Sequence, residues 1–198
     1  MKKWALLCGA LLVFAGHASA QDHPWGEVFG GYSYVRVNPG NGFPGESFNG
    51  GSGSFSFNPT PWLGIVSDFG GYHWSGSFEG VSSDFTAFSY LVGPKFTWRH
   101  GRITPFAQAL FGGLRISGSN CYADDDAHVR RQGGEGSDCE NGNDSGFATA
   151  LGGGLDWNAT SHLGIRLVQA EYVLSELSFF SASHQNNFRF STGVVIRW

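Results

Sequence analysis

The last eleven residues set apolar against polar or small positions with period two: Phe188, Phe190, Thr192, Val194, Ile196 and Trp198 alternate with Arg189, Ser191, Gly193, Val195 and Arg197. A strand with one apolar face, one mixed face and an aromatic end fits a transmembrane barrel strand better than the core of a soluble domain. The same alternation predicts strands near 27–36, 50–58, 63–73, 84–98, 103–115, 145–157, 162–172 and 187–198. Each is long enough for a tilted strand, about 9 to 11 residues, to cross a bilayer.

The connections alternate in length. Residues 58–61, 99–102 and 158–161 are tight and carry turn formers, whereas 38–49, 74–83, 116–144 and 173–186 are long and polar. Short turns at one end and long loops at the other match the periplasmic and extracellular ends of an outer-membrane barrel. Trp25, Trp62, Trp98, Trp157 and Trp198 fall at the short-turn end and only Trp74 at the other, which predicts an interfacial girdle. Tryptophans filling a soluble β-sandwich would scatter along the strands instead. The pairs Gly30-Gly31, Gly70-Gly71, Gly112-Gly113 and Gly152-Gly153 repeat in part with the hairpins, and glycine in barrel strands admits bends and close packing.

With apolar residues toward lipid, the opposite parity fills the lumen. Glu27, Asp68, Lys95, Asp156, Arg189 and Arg197 then point inward beside Ser54, Ser56, Ser89, Gly93, Ala148 and Ala150. Eight strands leave an interior just wide enough to be filled by side chains, so the expected lumen is a packed polar core of paired charges. Closure sets the first strand beside the last and predicts that Glu27 meets Arg197. Arg166 and Glu171 differ in parity, and both face the lumen only if a bulge lies near 168–169. The fifth strand is ambiguous, because Gln108 shares parity with Phe106 and Leu110.

Composition narrows the class. With 31 glycines, 16% aromatic and only 14% charged residues, the chain lacks the salt-bridged surface of a soluble helical protein. No apolar stretch after the N-terminal segment approaches the roughly 18 residues of a spanning helix. A net charge of -4 gives nucleic-acid binding no electrostatic footprint. Lys2 and Lys3, an apolar run to Gly16 and the small residues Ala18, Ser19 and Ala20 predict a cleaved signal peptide over 1–20 and a barrel domain over 21–198. Cys8 sits in the middle of the apolar run with bulky Leu6 and Leu7 before it, which disfavours a lipid anchor.

Glu27-Val28-Phe29-Gly30-Gly31-Tyr32-Ser33-Tyr34, the run from Trp62 to Tyr72, Gly93-Pro94-Lys95-Phe96, Pro105-Phe106-Ala107 and Gly152-Gly153-Gly154-Leu155-Asp156, in this order, carry a resemblance. The chain resembles the outer-membrane β-barrel domain family, whose small eight-stranded barrels are similar to the transmembrane domain of OmpA. The resemblance spans nearly all of 21–198, and none of these motifs is catalytic. It implies insertion by the barrel-assembly machinery through the last strand, with Phe190 and Trp198 as the assembly signal. The full-length pattern adds a peptidoglycan-binding domain; with Trp198 as the last residue, cell-wall anchoring is not expected.

Outside the signal, Cys121 and Cys139 both fall in the longest loop and are expected to form a disulfide that holds that loop, worth about 3 kcal/mol in a chain-entropy account. The loop also carries Asp124, Asp125, Asp126, Glu135, Asp138, Glu140 and Asp144 against Arg130 and Arg131. Calcium-loop spacing is absent, so a solvated acidic loop is favoured over a metal site, and zinc or heme spacing is lacking as well.

The reading is therefore an all-β, eight-stranded antiparallel up-and-down transmembrane barrel in a Gram-negative type outer membrane. The expected role is structural or surface-interacting through long extracellular loops, without catalysis or cofactor. Expected partners are outer-membrane lipid, the assembly machinery and an extracellular ligand of the loops, with no nucleic acid and a monomeric state. Two alternatives stay open. One is a narrow porin-like channel through rearranged pairs around Lys95 and Arg166. The other is an enzyme on outer-leaflet lipid drawing on His73, Ser75, Ser183 and His184 with Glu79 or Glu176, although His73-Trp74-Ser75 lies on the third strand and no glutamate follows at the interval that lipid A deacylase barrels show. A soluble lipocalin-like barrel would need an apolar lumen and a polar exterior.

Overall fold

The computed structural model describes residues 23–38, 45–78, 81–122, 138–176 and 185–198. The signal segment expected at 1–20 lies outside them. Eight strands follow in chain order: β1 (Gly26–Val37), β2 (Glu46–Phe57), β3 (Leu63–Phe78), β4 (Val81–Thr97), β5 (Ile103–Tyr122), β6 (Asp138–Asn158), β7 (Leu163–Ser175) and β8 (Gln185–Arg197). Each pairs antiparallel with its chain neighbours, and β1 closes on β8 from Glu27↔Arg197 to Arg36↔Phe188. The result is an up-and-down barrel with no open sheet edge, one of the two backbone solutions available in hydrocarbon.

The outer wall is apolar. Val28, Phe55, Ile65, Phe69, Phe111 and Leu151 are exposed on it, with many other large apolar side chains, while Glu27, Asp68, Lys95, Asp156, Arg166 and Arg197 are buried inside. Such an exterior is far larger than the apolar patches that soluble monomers expose, and it is the reverse of a lipocalin. At the short-turn rim Trp25, Trp62, Trp98 and Trp198 are exposed, and Trp157 is half-buried. Trp25 meets Trp198 edge-on at 5.6 Å, and Trp62 stacks on Phe96 at 6.2 Å. Trp74 differs from these: it turns inward at the opposite end, 6.3 Å from Phe48 and 5.7 Å from Phe85.

All eight expected segments fall on strands, but the ladders run further at the long-loop end. β3 and β4 pair out to Phe78↔Val81, and β5 and β6 out to Tyr122↔Asp138, so much of 74–83 and 116–144 is strand rather than loop. Apolar alternation fades where the outer face leaves the lipid, whereas backbone pairing needs no apolar side chain there. The two cysteines consequently lie opposite each other in the β5–β6 ladder, bonded with a Cα separation of 4.1 Å. The bridge clamps the tip of a two-stranded ribbon, which corrects the view of a bond inside a free loop.

Two local features fix how the lumen is filled. In β7 the register to β8 shifts between Arg166 and Gln169, leaving Leu167 and Val168 both exposed on the lipid side. This bulge, one residue earlier than the alternation suggests, returns Arg166, Gln169 and Glu171 to the inner face. Gly164 lies against the Arg197 guanidinium, and a Cβ at that position would collide with Nη1.

Replacing both cysteines by serine should lower the stability of the barrel, read from the urea midpoint, by no more than about 3 kcal/mol, because the bridge closes one short loop of the unfolded chain and sits at the ribbon tip of the folded one. Amide exchange at 116–121 and 139–144 should accelerate at least several-fold in the same variant. A large drop in the midpoint with unchanged local exchange would contradict this placement.

Candidate functional site

The lumen divides into two chemically distinct halves. Toward the short-turn rim it holds an ion lattice, which begins at the Glu27 carboxylate on β1. Lys95 Nζ donates to Glu27 Oε2 at 2.7 Å, Arg99 Nη2 to Oε1 at 2.9 Å and Arg197 Nε to Oε1 at 3.3 Å. Arg99 also reaches the Pro61 carbonyl. Arg197 then spans to Asp156 Oδ2 at 2.8 Å and to Asn158 Oδ1 at 2.5 Å.

Asp156 passes the chain of contacts on to Arg166, whose Nε donates to Oδ1 at 2.8 Å. The Arg166 guanidinium lies 4.3 Å from both the Phe29 and the Phe106 ring centres, between two aromatic faces that favour a cation. Its Nη1 donates to Gln169 Oε1 at 2.6 Å, and Gln169 Nε2 donates to Glu171 Oε2 at 2.8 Å. Glu171 accepts from Gln108 Nε2 at 2.8 Å and from Arg189 Nε at 2.6 Å. Arg189 Nη1 ends the lattice on Asp68 Oδ1 at 2.6 Å and the Tyr72 hydroxyl at 3.1 Å.

Among the described residues the buried cations are Lys95, Arg166, Arg189 and Arg197, and the buried anions are Glu27, Asp68, Asp156 and Glu171. The set is neutral within itself, and Arg99, 19% exposed, joins it from the rim. One connected network thus runs across the lumen from the short turns to the middle of β8. Ser33 adds a small knot, sharing hydrogen bonds with Ser52 at 2.5 Å and Ser191 at 2.7 Å.

The other half is largely apolar, with Ser89, Ser175, Gln185 and Asn187 as buried polar exceptions, and this corrects the expectation of a polar core throughout. Phe48, Tyr72, Ala87 and Ile116 form one buried cluster, and Val66, Leu91, Leu110, Ala148 and Ala150 a second. Strand parity fixes which side a residue faces, but a lumen filled by side chains accepts apolar filling as readily as polar. On β5, Phe106, Gln108 and Leu110 all point inward, which resolves the ambiguity of that strand. Above the lattice the apolar walls leave a cavity of about 50 Å³. Four buried polar side chains border it: Ser89, Gln185, Asn187 and Arg189, of which Asn187 is satisfied by the Asn38 N–H and Ser175 Oγ. Among the described residues, Ser89 Oγ, Gln185 Nε2 and Oε1, and Arg189 Nη2 have no hydrogen-bond partner.

The described residues of the catalytic alternative do not converge on one site. His73 and Ser75 are exposed on the outer face of β3, and His73 Nδ1 lies 3.4 Å from Asp84 Oδ1, with both side chains more than half exposed. Glu79, Ser183 and His184 lie outside the described residues, as do Asp124, Asp125, Asp126 and Glu135 of the calcium alternative. Among the described residues no cluster of three or more histidine, cysteine or acidic side chains is placed to hold a metal. Phe190 is exposed on the lipid face, and Trp198 seals the rim beside Gly26 and Trp25.

No protein-family model and no curated protein sequence matches the chain. Solved structures do. Ail, the attachment invasion locus protein of Yersinia pestis, superimposes with a TM-score of 0.63 at 16% identity, covering 89% of this chain and 99% of Ail. Neisserial surface protein A gives 0.59 at 11% identity, covering 87% of this chain and 97% of the other. The chain has the fold of the small eight-stranded outer-membrane barrels. At these identities the likeness concerns architecture, and the lattice and cavity are read from this chain's own residues.

Glu27 offers the sharpest test of the lattice, because one carboxylate faces three cations. Glu27→Gln should lower stability by about 3 to 5 kcal/mol, the cost of leaving buried charge unmatched. The double variant with Lys95→Met, which restores the balance, should recover at least half of that loss. Urea titrations of barrels folded in vesicles, read by gel mobility, measure both.

Proposed function

We propose that this chain is an integral outer-membrane protein whose sealed barrel serves as a rigid platform for interaction at the cell surface. The observation that carries this reading is the ion lattice from Arg99 to Asp68, neutral in its buried members, which occupies the short-turn half of the lumen with direct contacts. Water and solutes would have to separate several buried ion pairs to pass, which argues against free diffusion.

The platform needs something to present. β5 and β6 are 20 and 21 residues long, roughly ten more than a tilted strand uses to cross the bilayer. The extra length forms a ribbon projecting from the long-loop end and clamped at its tip by Cys121–Cys139. A paired and cross-linked ribbon gives up little conformational entropy on meeting a partner, which suits it to recognition. The outward apolar belt and the tryptophan rim support burial in outer-membrane lipid, with Phe190 and Trp198 read by the assembly machinery during insertion. The unit acts as a monomer without a cofactor.

A narrow channel is the second reading, favoured only by the polar character of the lattice. In planar bilayers the folded protein should give no conductance steps, and Lys95→Ala should stay silent, since Arg99 and Arg197 still face Glu27. Reproducible steps whose size changes with Lys95→Ala would overturn the sealed platform in favour of the channel.

A further inference from the structure

We infer that the outer half of the lumen is a binding site for a small, slender apolar molecule carrying one neutral hydrogen-bonding head group, such as a hydroxyl. The inference goes beyond the platform reading and does not depend on it. Its basis is a mismatch inside the barrel. The cavity of about 50 Å³ is walled by apolar side chains, among them Phe48, Leu91, Ile116 and Val173. Polar groups buried in such a place normally have partners, because a missing hydrogen bond there costs free energy. Here three of them are unsatisfied among the described residues, on two strands: Ser89 of β4, Gln185 at the outer end of β8, and Arg189 lower on β8 and joined to β3 and β7 by its ion pairs.

Gln185 is 1% exposed and carries both a free donor, Nε2, and a free acceptor, Oε1. A hydroxyl answers both at once. Arg189 commits Nε to Glu171 and Nη1 to Asp68 and Tyr72, and only Nη2 is left over. Two carboxylates already face that one guanidinium, so a negatively charged head would be repelled and a neutral acceptor welcomed. The volume lies well below that of pockets that hold drug-sized bodies, about 300 Å³ or more, so the occupant is small. The ion lattice closes the cavity below, so an occupant is held and does not pass through to the other side.

The probe is 6-fluorohexan-1-ol, with 1-fluorohexane as its headless counterpart, each followed by fluorine NMR against the folded protein in lipid nanodiscs and against empty nanodiscs. The alkanol should show saturable binding above lipid partitioning and bind more tightly than the fluoroalkane. Gln185→Leu should weaken the alkanol roughly tenfold and leave the fluoroalkane unchanged or tighter. Ala87→Phe, or Ala148→Leu where the first does not give the folded gel mobility, fills the cavity and should abolish saturable binding of both. Partitioning equal to that of empty nanodiscs, equal affinity for the two probes, or an alkanol affinity unmoved by Gln185→Leu would overturn the inference. A negative result here with silent bilayers leaves the platform standing, whereas conductance with intact alkanol binding removes the platform and keeps the site.

Discussion

Closure of β1 onto β8 is the constraint on which the rest of this molecule depends. In hydrocarbon each backbone N–H and C=O must find a partner within the chain, and a sheet meets that demand only when its two edges meet. Here the seam is completed at the rim by reciprocal backbone bonds between Gly26 and Trp198, at 3.2 and 3.1 Å. Once the cylinder is closed at eight strands, every inward side chain is confined to a narrow interior with little room for water. Charges placed there must neutralise one another.

That confinement explains the form of the lattice. Glu27 on the first strand and Arg197 on the last meet because the seam makes them neighbours, at 3.3 Å. Arg166, Gln169 and Glu171 share the inner face because the β7 bulge restores parity between them. Arg166 gains two aromatic faces, Phe29 and Phe106, in addition to Asp156. Buried pairs of this kind are weak sources of net stability, since desolvation offsets much of the attraction, but they penalise any register that separates them. The lattice therefore acts on specificity, favouring one closed arrangement of eight strands. Beyond Arg189 the filling becomes largely apolar, and Arg189 Nη2 at that boundary and Gln185 at the outer end of β8 have no hydrogen-bond partner among the described residues.

Much of this was legible in the sequence, for identifiable reasons. Period-two alternation marked the strands because the lipid imposes one apolar face on each of them, and the tryptophans marked the rim because that interface suits their rings. Charges at inward parity, such as Asp68 and Lys95, were readable for the same reason. Three things were hidden. The ribbon of β5 and β6 lay beyond the lipid, where polar side chains such as Ser117, Ser119 and Asn143 give no alternation. The apolar outer lumen was concealed because Leu91 and Leu110 look like lipid-facing residues unless parity is carried strictly through the strand. Arg99 sits in a short turn, and only the reach of its side chain back to Glu27 joins it to the lattice.

Solid-state NMR of the protein in bilayers, measuring the dipolar coupling between Lys95 Nζ and the Glu27 side-chain carboxyl carbon, tests the central claim most directly. The account predicts strong coupling, as required by a direct 2.7 Å contact between Nζ and Oε2, with both groups protected from bulk water. Absent coupling, with both side chains hydrated and exchanging freely, would contradict a lumen sealed by its own neutralised charges.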